Sequence, residues 1–519
     1  MGGNADEKEM SGARRWLLLG MACACTMLTF LNMGCITAAT PDLSGTFVVG
    51  TLDVSWSGAA CPLGTALSFT VAAYLWARLG LRRSLRTALL LMLAGTLAGL
   101  AADHFFIMVL ARFLQGTGGG LALVYGTGLV NAALPPERRS PAMGAKLCSI
   151  GLASCASPVA GCLLDKYWLW KGLFVDVVVA ASLLAVLTTL YVPNTKIPKN
   201  GKFDWFSFLA LAAGCVCILM VLIYGETDGW TAPGVLCWMY GGFCAFVLAA
   251  ISCMTHRTPL LDVRVLGNWR FLFGLLASLC NIFCICWVRV GTVQFMRNVM
   301  NYEPAGIAWV FLVLVAGFCA GAAIVLPLMQ KGRLALRVGM MAGLLGLGSS
   351  AFFLSRLDAG CSWLDVAWPL GLFGVGYAFC LNVATPLALR GVEAKSAAAS
   401  SRTLNTVRYV FISMYVGSVS TVLAHMKTGY RFDMAEQVRD DSPGTVQTLD
   451  MWQRHFSETG GTAADIHASV NAMLNHAVAL QSQVFSVDAF YLCTVIVGAA
   501  GVLFALLCLK SGKERNTAS

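Results

Sequence analysis

Charged side chains are scarce: Asp, Glu, Lys and Arg make up 12% of the 519 residues, against about 25% in an ordinary soluble domain, while hydrophobic residues reach 58%. That balance excludes a water-soluble globule. No Walker A sequence GxxxxGK[ST] occurs, which argues against an ATP-driven pump within this chain. The 20 cysteines include no CxxC pair; Cys23/Cys25, Cys215/Cys217 and Cys284/Cys286 are CxC, and most cysteines lie inside apolar blocks. They read as small buried apolar side chains rather than as a zinc or disulfide framework. The histidines show no metal-ligand spacing and no nucleophile motif accompanies them, so neither a metal, a cofactor nor an enzyme is expected. A membrane enzyme or receptor is the rival from another class.

What is present is a succession of apolar blocks of about 20 residues, the length that crosses a hydrocarbon core as a helix. Continuous runs such as Leu209 to Tyr224 break the alternation a membrane β-barrel needs. The expected class is therefore an all-α polytopic membrane protein. Fourteen spans can be counted, beginning with 16–38, which is too long for the apolar region of a signal peptide. The formal charge of +10 is not gathered in a nucleic-acid-binding patch, because the basic residues punctuate the spans. Most of the 36 Lys and Arg fall on the side of the termini, among them Arg14, Arg15, Arg78, Arg82, Arg83, Arg86, Arg138, Arg139, Lys331 and Lys510. An even number of spans and this bias predict that both termini are cytoplasmic, in a cell (inner) membrane. One long loop, 425–485, then lies outside, with a helix-like tract from Ala463 to Val484 that suits a short amphipathic helix or a solvated cap.

Short motifs sharpen the picture. After span 2, Ala73 to Arg83 forms a basic turn carrying Arg78, Gly80, Arg82 and Arg83, similar to the loop signature GxLaDRxGRR of the major facilitator superfamily, with Ala73 and Ala77 in place of Gly and Asp. Span 4 carries Arg112 to Gly120, including Gln115, Gly116 and Gly120, and resembles the family's RxxQGxGxG. Span 5 carries Gly151 to Cys162, with Gly151, Pro158 and Gly161, and looks like the exporter signature GxxxGPxxGG, with Ser157 and Cys162 replacing two glycines. Phe203-Asp204-Trp205, Gly225 to Trp230, Pro259 to Val263, Gln294 to Tyr302 and Ala397 to Arg408 resemble the 14-helix drug:proton antiporters of the EmrB/QacA type. The resemblance implies a major facilitator fold with two six-helix bundles, 16–192 and 256–509, two inserted helices in 193–255, and terminal tails 1–15 and 510–519. It further implies alternating access about a midplane site, with a periplasmic adaptor and outer-membrane channel as partners in some relatives.

The chain departs from that pattern where coupling chemistry is expected. The family's acid in the first span aligns with Asn32, which cannot release a proton, and no Asp or Glu lies deep in any span; Asp176 comes closest. Three readings stay open: coupling through Asp176 or another outer acid, a substrate that carries the proton itself, or a uniporter. If they face the cavity, Arg112 and Arg289 favour anionic, zwitterionic or neutral amphiphiles over organic cations, because a cation in low dielectric wants a carboxylate partner; the alternatives are a structural hydrogen-bond hub for Arg112 and snorkelling to the outer interface for Arg289. Tyr125, Asn281, Asn382, Asn405 and Arg408 complete the candidate cavity residues. The expected function is secondary export of small amphipathic molecules driven by protons, with an importer or uniporter of a metabolite as the alternative.

Overall fold

A computed structural model of the chain describes residues 11–510, except 37, 199–202, 257–258, 330–332, 390–391, 394–395, 439–442 and 459–461. The terminal charges Lys8, Lys513 and Arg515, and the turn residues Lys331 and Gly332, lie outside the described residues. Regular structure among the described residues is helical throughout: α1 Gly12–Cys35, α2 Thr40–Phe47, α3 Thr51–Leu79, α4 Leu81–Leu100, α5 Phe105–Ala133, α6 Pro136–Tyr191, α7 Trp205–Asp228 and α8 Pro233–Thr255. After a 3₁₀ turn at Val263–Gly267 come α9 Trp269–Asn298, α10 Pro304–Met329, α11 Arg333–Leu354, α12 Trp363–Leu389, α13 Ala397–Gln437, α14 Pro443–Ser457 and α15 Ala463–Lys510. Proline opens α6, α8, α10 and α14, where its missing N–H costs nothing.

Among the described residues, twelve helices are long and apolar enough to cross a membrane, and Val338–Leu354 of α11 is a shorter apolar helix. One of the twelve is α6, whose helix is interrupted at Leu169 (φ 53°, ψ −161°). Around the break, Lys166 lies over the ring of Tyr167 and Lys171 over that of Trp170. Aromatic and basic side chains of this kind anchor helix ends at a membrane surface.

The segment 425–485 differs from the expectation. It is mostly helix: α13 continues to Gln437, α14 follows, and the tract from Ala463 is the first half of the 48-residue α15. No Gly or Pro occurs between 463 and 497 to end it. Its start is capped reciprocally, the Thr462 hydroxyl accepting from the Asp465 N–H while the Asp465 carboxylate accepts from the Thr462 N–H and hydroxyl.

Packing sorts the helices into two groups. In the first, α1 lies on α5 and α6, α3 and α4 lie on α5, and α4 also meets α6; in the second, α12 contacts α9, α10 and α11, while α15 contacts α9 and α11. The groups meet where α3 packs on α13 and where α6 packs on α10 and α12. The α7–α8 pair lies against α13 and α3 through α7. At the root of α7, Asp204 caps the helix by accepting from the Ser207 N–H, and it also receives the Ser252 hydroxyl of α8. Burial pushes the Asp204 carboxyl up, but these hydrogen bonds, with those from the Ser207 side chain foremost, outweigh it and hold the group below the ordinary carboxylate range.

The basic turn joins α3 to α4 through one residue, Gly80, at φ +83°, where a Cβ would lie 2.3 Å from the Asn194 side-chain oxygen. Gly80 therefore meets both requirements that glycine alone satisfies, a left-handed φ and a close neighbour. The turn holds the chain leaving α6: Leu81 N–H and Trp76 Nε1 donate to the Thr195 carbonyl, and Arg82 and Arg14 donate to the carbonyls of Val192 and Tyr191. Arg78 stacks on Tyr74 with 4.5 Å to the ring centroid, and Arg83 is exposed.

Candidate functional site: a cationic chamber between the helix groups

Between the two groups lies a cavity of about 150 Å³. Phe30, Met33 and Gly34 of α1 and Leu147, Ile150 and Ser154 of α6 face Ser278, Asn281, Ile285 and Arg289 of α9, Tyr377, Leu381 and Thr385 of α12, and Asn405, Arg408 and Tyr409 of α13. The walls are chiefly apolar, and the charged residues among those lining it are both arginines.

Arg289 crosses the seam. From α9 its Nη1 donates to the Ser154 carbonyl (2.9 Å) and the Ser157 hydroxyl (3.0 Å) of α6, tying the second group to the first. Arg297, two turns further along α9, makes a similar crossing to the Ala38 carbonyl at 2.9 Å. These two arginines latch one end of the cavity.

Arg408 is held differently, within the second group alone. Its Nε donates to the Ser278 hydroxyl at 2.9 Å and its Nη1 to the Thr385 hydroxyl at 2.8 Å. The side chain is 9% exposed, and Nη2 has no hydrogen-bond partner. Asn281, 3% exposed and one turn along α9 from Ser278, likewise leaves Oδ1 without a partner. Asn405 lies one turn before Arg408 on α13 and lines the same space.

The remaining candidates lie elsewhere. Arg112, 1% exposed, is enclosed within the first group, where Nη1 donates to Asn32 Oδ1 (2.7 Å) and Gln115 Oε1 (2.8 Å), Nη2 to the Asn32 carbonyl and Nε to that of Ser57. Gln115 passes the chain of bonds to the Thr96 hydroxyl. A buried guanidinium is thus satisfied by neutral acceptors. Tyr125 is also internal, donating to the Ala72 carbonyl, and Asn382 bonds the Ala378 carbonyl and receives the Cys148 thiol of α6. Asp176 faces a separate apolar groove of about 570 Å³ between α1 and the latter part of α6. Its Oδ1 accepts from the Val177 N–H, and it interacts electrostatically with Arg112.

The small-residue motifs mark close helix approach. A Cβ at Gly116 would sit 1.9 Å from the Cys61 carbonyl oxygen, so α3 and α5 reach their separation only with glycine there, and the Thr65 hydroxyl donates to the Gly116 carbonyl. Gly120 meets α3, Gly161 meets α1, Gly151 faces Phe318 of α10, and Pro158 lies within α6.

The family model described as Major Facilitator Superfamily matches residues 22–415. The chain belongs to the major facilitator superfamily. It is a multi-pass membrane transporter rather than an enzyme. Similar curated relatives include the multidrug resistance protein Stp of Mycobacterium tuberculosis, 27% identical over 401 residues that cover 76% of this chain and 74% of that one. Another is a probable actinorhodin transporter of Streptomyces coelicolor, 24% identical over 79% of this chain and 72% of that one. Among solved structures, a bacterial homologue of the human lysosomal transporter Spinster, inward-facing and unoccupied, aligns with a TM-score of 0.60 at 15% identity, covering 98% of this chain and 100% of that one. At that identity the major facilitator fold is what the two share.

Reasoning from sequence missed Lys146. In the sequence it counts among the basic residues on the side of the termini, at the first position of span 5 (146–164); in the fold it is buried on α6 with Nζ donating to the Leu123 carbonyl (2.8 Å) and the Thr127 hydroxyl (2.7 Å) of α5. The signal was Pro136, whose place at a helix start puts Lys146 nearly three turns inside. Ser278 and Thr385, which orient Arg408, carry no motif that could have revealed them.

Proposed function

We propose that this transporter is a secondary exporter of small amphipathic molecules that works by alternating access, coupled to the proton gradient. The observation that carries the reading is the mainly apolar chamber between two helix groups, latched at one end by Arg289 reaching from α9 to Ser154 and Ser157. Breaking and remaking such polar ties while each group keeps its own packing is the motion alternating access requires. The relative Stp, named for multidrug resistance, and a further one named the drug efflux pump JefA, of Mycobacterium tuberculosis, support the exporter direction. The reading includes fourteen crossings, with α6 contributing two on either side of Leu169 and α11 one. It further assigns bundles 16–192 and 256–509, α7 and α8 as an inserted pair, and cytoplasmic termini, supported by the Lys and Arg bias of the connecting turns.

Proton carriage is assigned to Asp176, a carboxylate within electrostatic reach of Arg112, because Asn32 cannot titrate. Proteoliposomes with an imposed proton gradient test the whole reading. Wild type is expected to move amphiphiles against their gradient with accompanying proton flux, and Asp176→Asn to lose that flux while still binding. Full flux in Asp176→Asn removes that residue from the mechanism. Absence of gradient-driven movement in wild type refutes proton-coupled export.

A further inference from the structure

We infer that the chamber's substrate is a small organic anion, a carboxylate or sulfonate on an apolar body of about one ring, with its acid group seated on Arg408 and Asn281. This rests on the export reading and narrows it to a substrate class.

The argument begins with charge. Among the described residues, Arg408 and Arg289 are the charged ones lining the chamber, and no carboxylate lines it to offset them. A buried cation without a counter-ion is costly, and hydroxyl partners satisfy N–H groups without neutralising the charge. Arg112 shows how this protein accommodates a buried guanidinium that takes no ligand: neutral acceptors surround it on several sides. Arg408, a residue of the chamber wall, is treated otherwise, with Nε and Nη1 fixed by Ser278 and Thr385 while the buried Nη2 is left without a partner. The two hydroxyls fix the plane of the guanidinium and leave one edge for an oxyanion, whose charge-assisted bond is about twice as strong as a neutral one.

Asn281 supplies the second contact. Its amide is 3% exposed, lines the chamber and leaves Oδ1 unpaired. Rotation of the amide exchanges oxygen for NH₂, so this residue can donate to the second oxygen of a carboxylate or sulfonate. Beyond the head group, Phe30, Ile282, Ile285 and Ile412 present apolar walls. A volume of about 150 Å³ is what an apolar cavity needs to accept a benzene-sized guest. Ser278 and Thr385, which hold Arg408, belong with Asn281 to the second helix group, so the seat stays intact when the groups separate.

The test uses three probes with one ring and different head groups: benzenesulfonate, methyl phenyl sulfone and phenyltrimethylammonium. Calorimetric titration of the full chain in nanodiscs measures binding, and proteoliposomes under a proton gradient measure movement. Benzenesulfonate is expected to bind at least tenfold more tightly than phenyltrimethylammonium. Arg408→Gln should erase that preference while leaving the sulfone within twofold, and Arg408→Lys should retain most of it. Asn281→Asp, which places a carboxylate on the chamber wall that Arg408 also lines, should abolish sulfonate binding even if Arg408→Gln fails to fold. Equal or tighter binding of the ammonium probe, or undiminished sulfonate binding in both charge-altering variants, overturns the anion seat. In that event, gradient-driven movement of the sulfone or ammonium probe keeps the export reading. Arg408-dependent sulfonate binding without movement of any probe upholds the seat and refutes export.

Discussion

Removing the guanidinium latch should open the seam on the side of Arg289 and Arg297. Three hydrogen bonds cross there, two from Arg289 and one from Arg297. In the open state the freed arginines would be hydrated, so each bond contributes its net value of about 1 kcal/mol rather than its gross strength. The two arginines lie two turns apart on α9, far enough for their effects to add approximately. Arg297→Gln should therefore raise the open population about fivefold, and the double change Arg289→Gln/Arg297→Gln about a hundredfold, at 1.4 kcal/mol per factor of ten. The protein carries its own reporters: Cys35, Cys155 and Cys162 are buried beside this seam, with the Cys35 thiol donating to the Ser157 carbonyl. Labelling by a charged maleimide in nanodiscs, followed peptide by peptide with mass spectrometry, measures the opening. The double variant should label these three cysteines far faster than wild type, with Cys215 and Cys253, buried near α7 and α8, as internal controls. Unchanged rates at the seam, or equal acceleration at the controls, would refute the latch.

Gly116→Ala places a methyl against the Cys61 carbonyl and should cost about 1–3 kcal/mol by overpacking, read as a lowered thermal midpoint in detergent. Asp204→Ala removes the cap of α7 and its tie to Ser252, costing about 1 kcal/mol. Because the folded Asp204 carboxyl lies below its ordinary range, its contribution is complete above about pH 4 and is lost as pH falls through the folded value. Wild type and Asp204→Ala should therefore converge in stability only in strong acid, and a constant gap down to pH 2 would contradict this account.

Hydropathy and charge placement made the membrane class legible, because a ~30 Å hydrocarbon layer demands apolar runs of one length and backbone pairing within each helix. The small residues of Gly116, Gly120 and Gly161 likewise announced close helix contacts, since few other reasons place glycines so densely in a span. The loop helices were harder to read: the tract from Ala463 was separable in sequence, but without Gly or Pro it fuses with the span that follows. What sequence could not separate were Arg112 and Arg408, two arginines inside spans with similar motif support. Their difference depends on acceptors distant in the chain: Asn32 and Ser57 hold the first, while Ser278 and Thr385 leave the second, on the chamber wall, with Nη2 unpartnered. Composition and periodicity determined that this chain is a helical membrane protein with buried cations. Tertiary packing alone decided which cation meets the chamber, because a side chain's partners come from helices whose relative rotation no local pattern records.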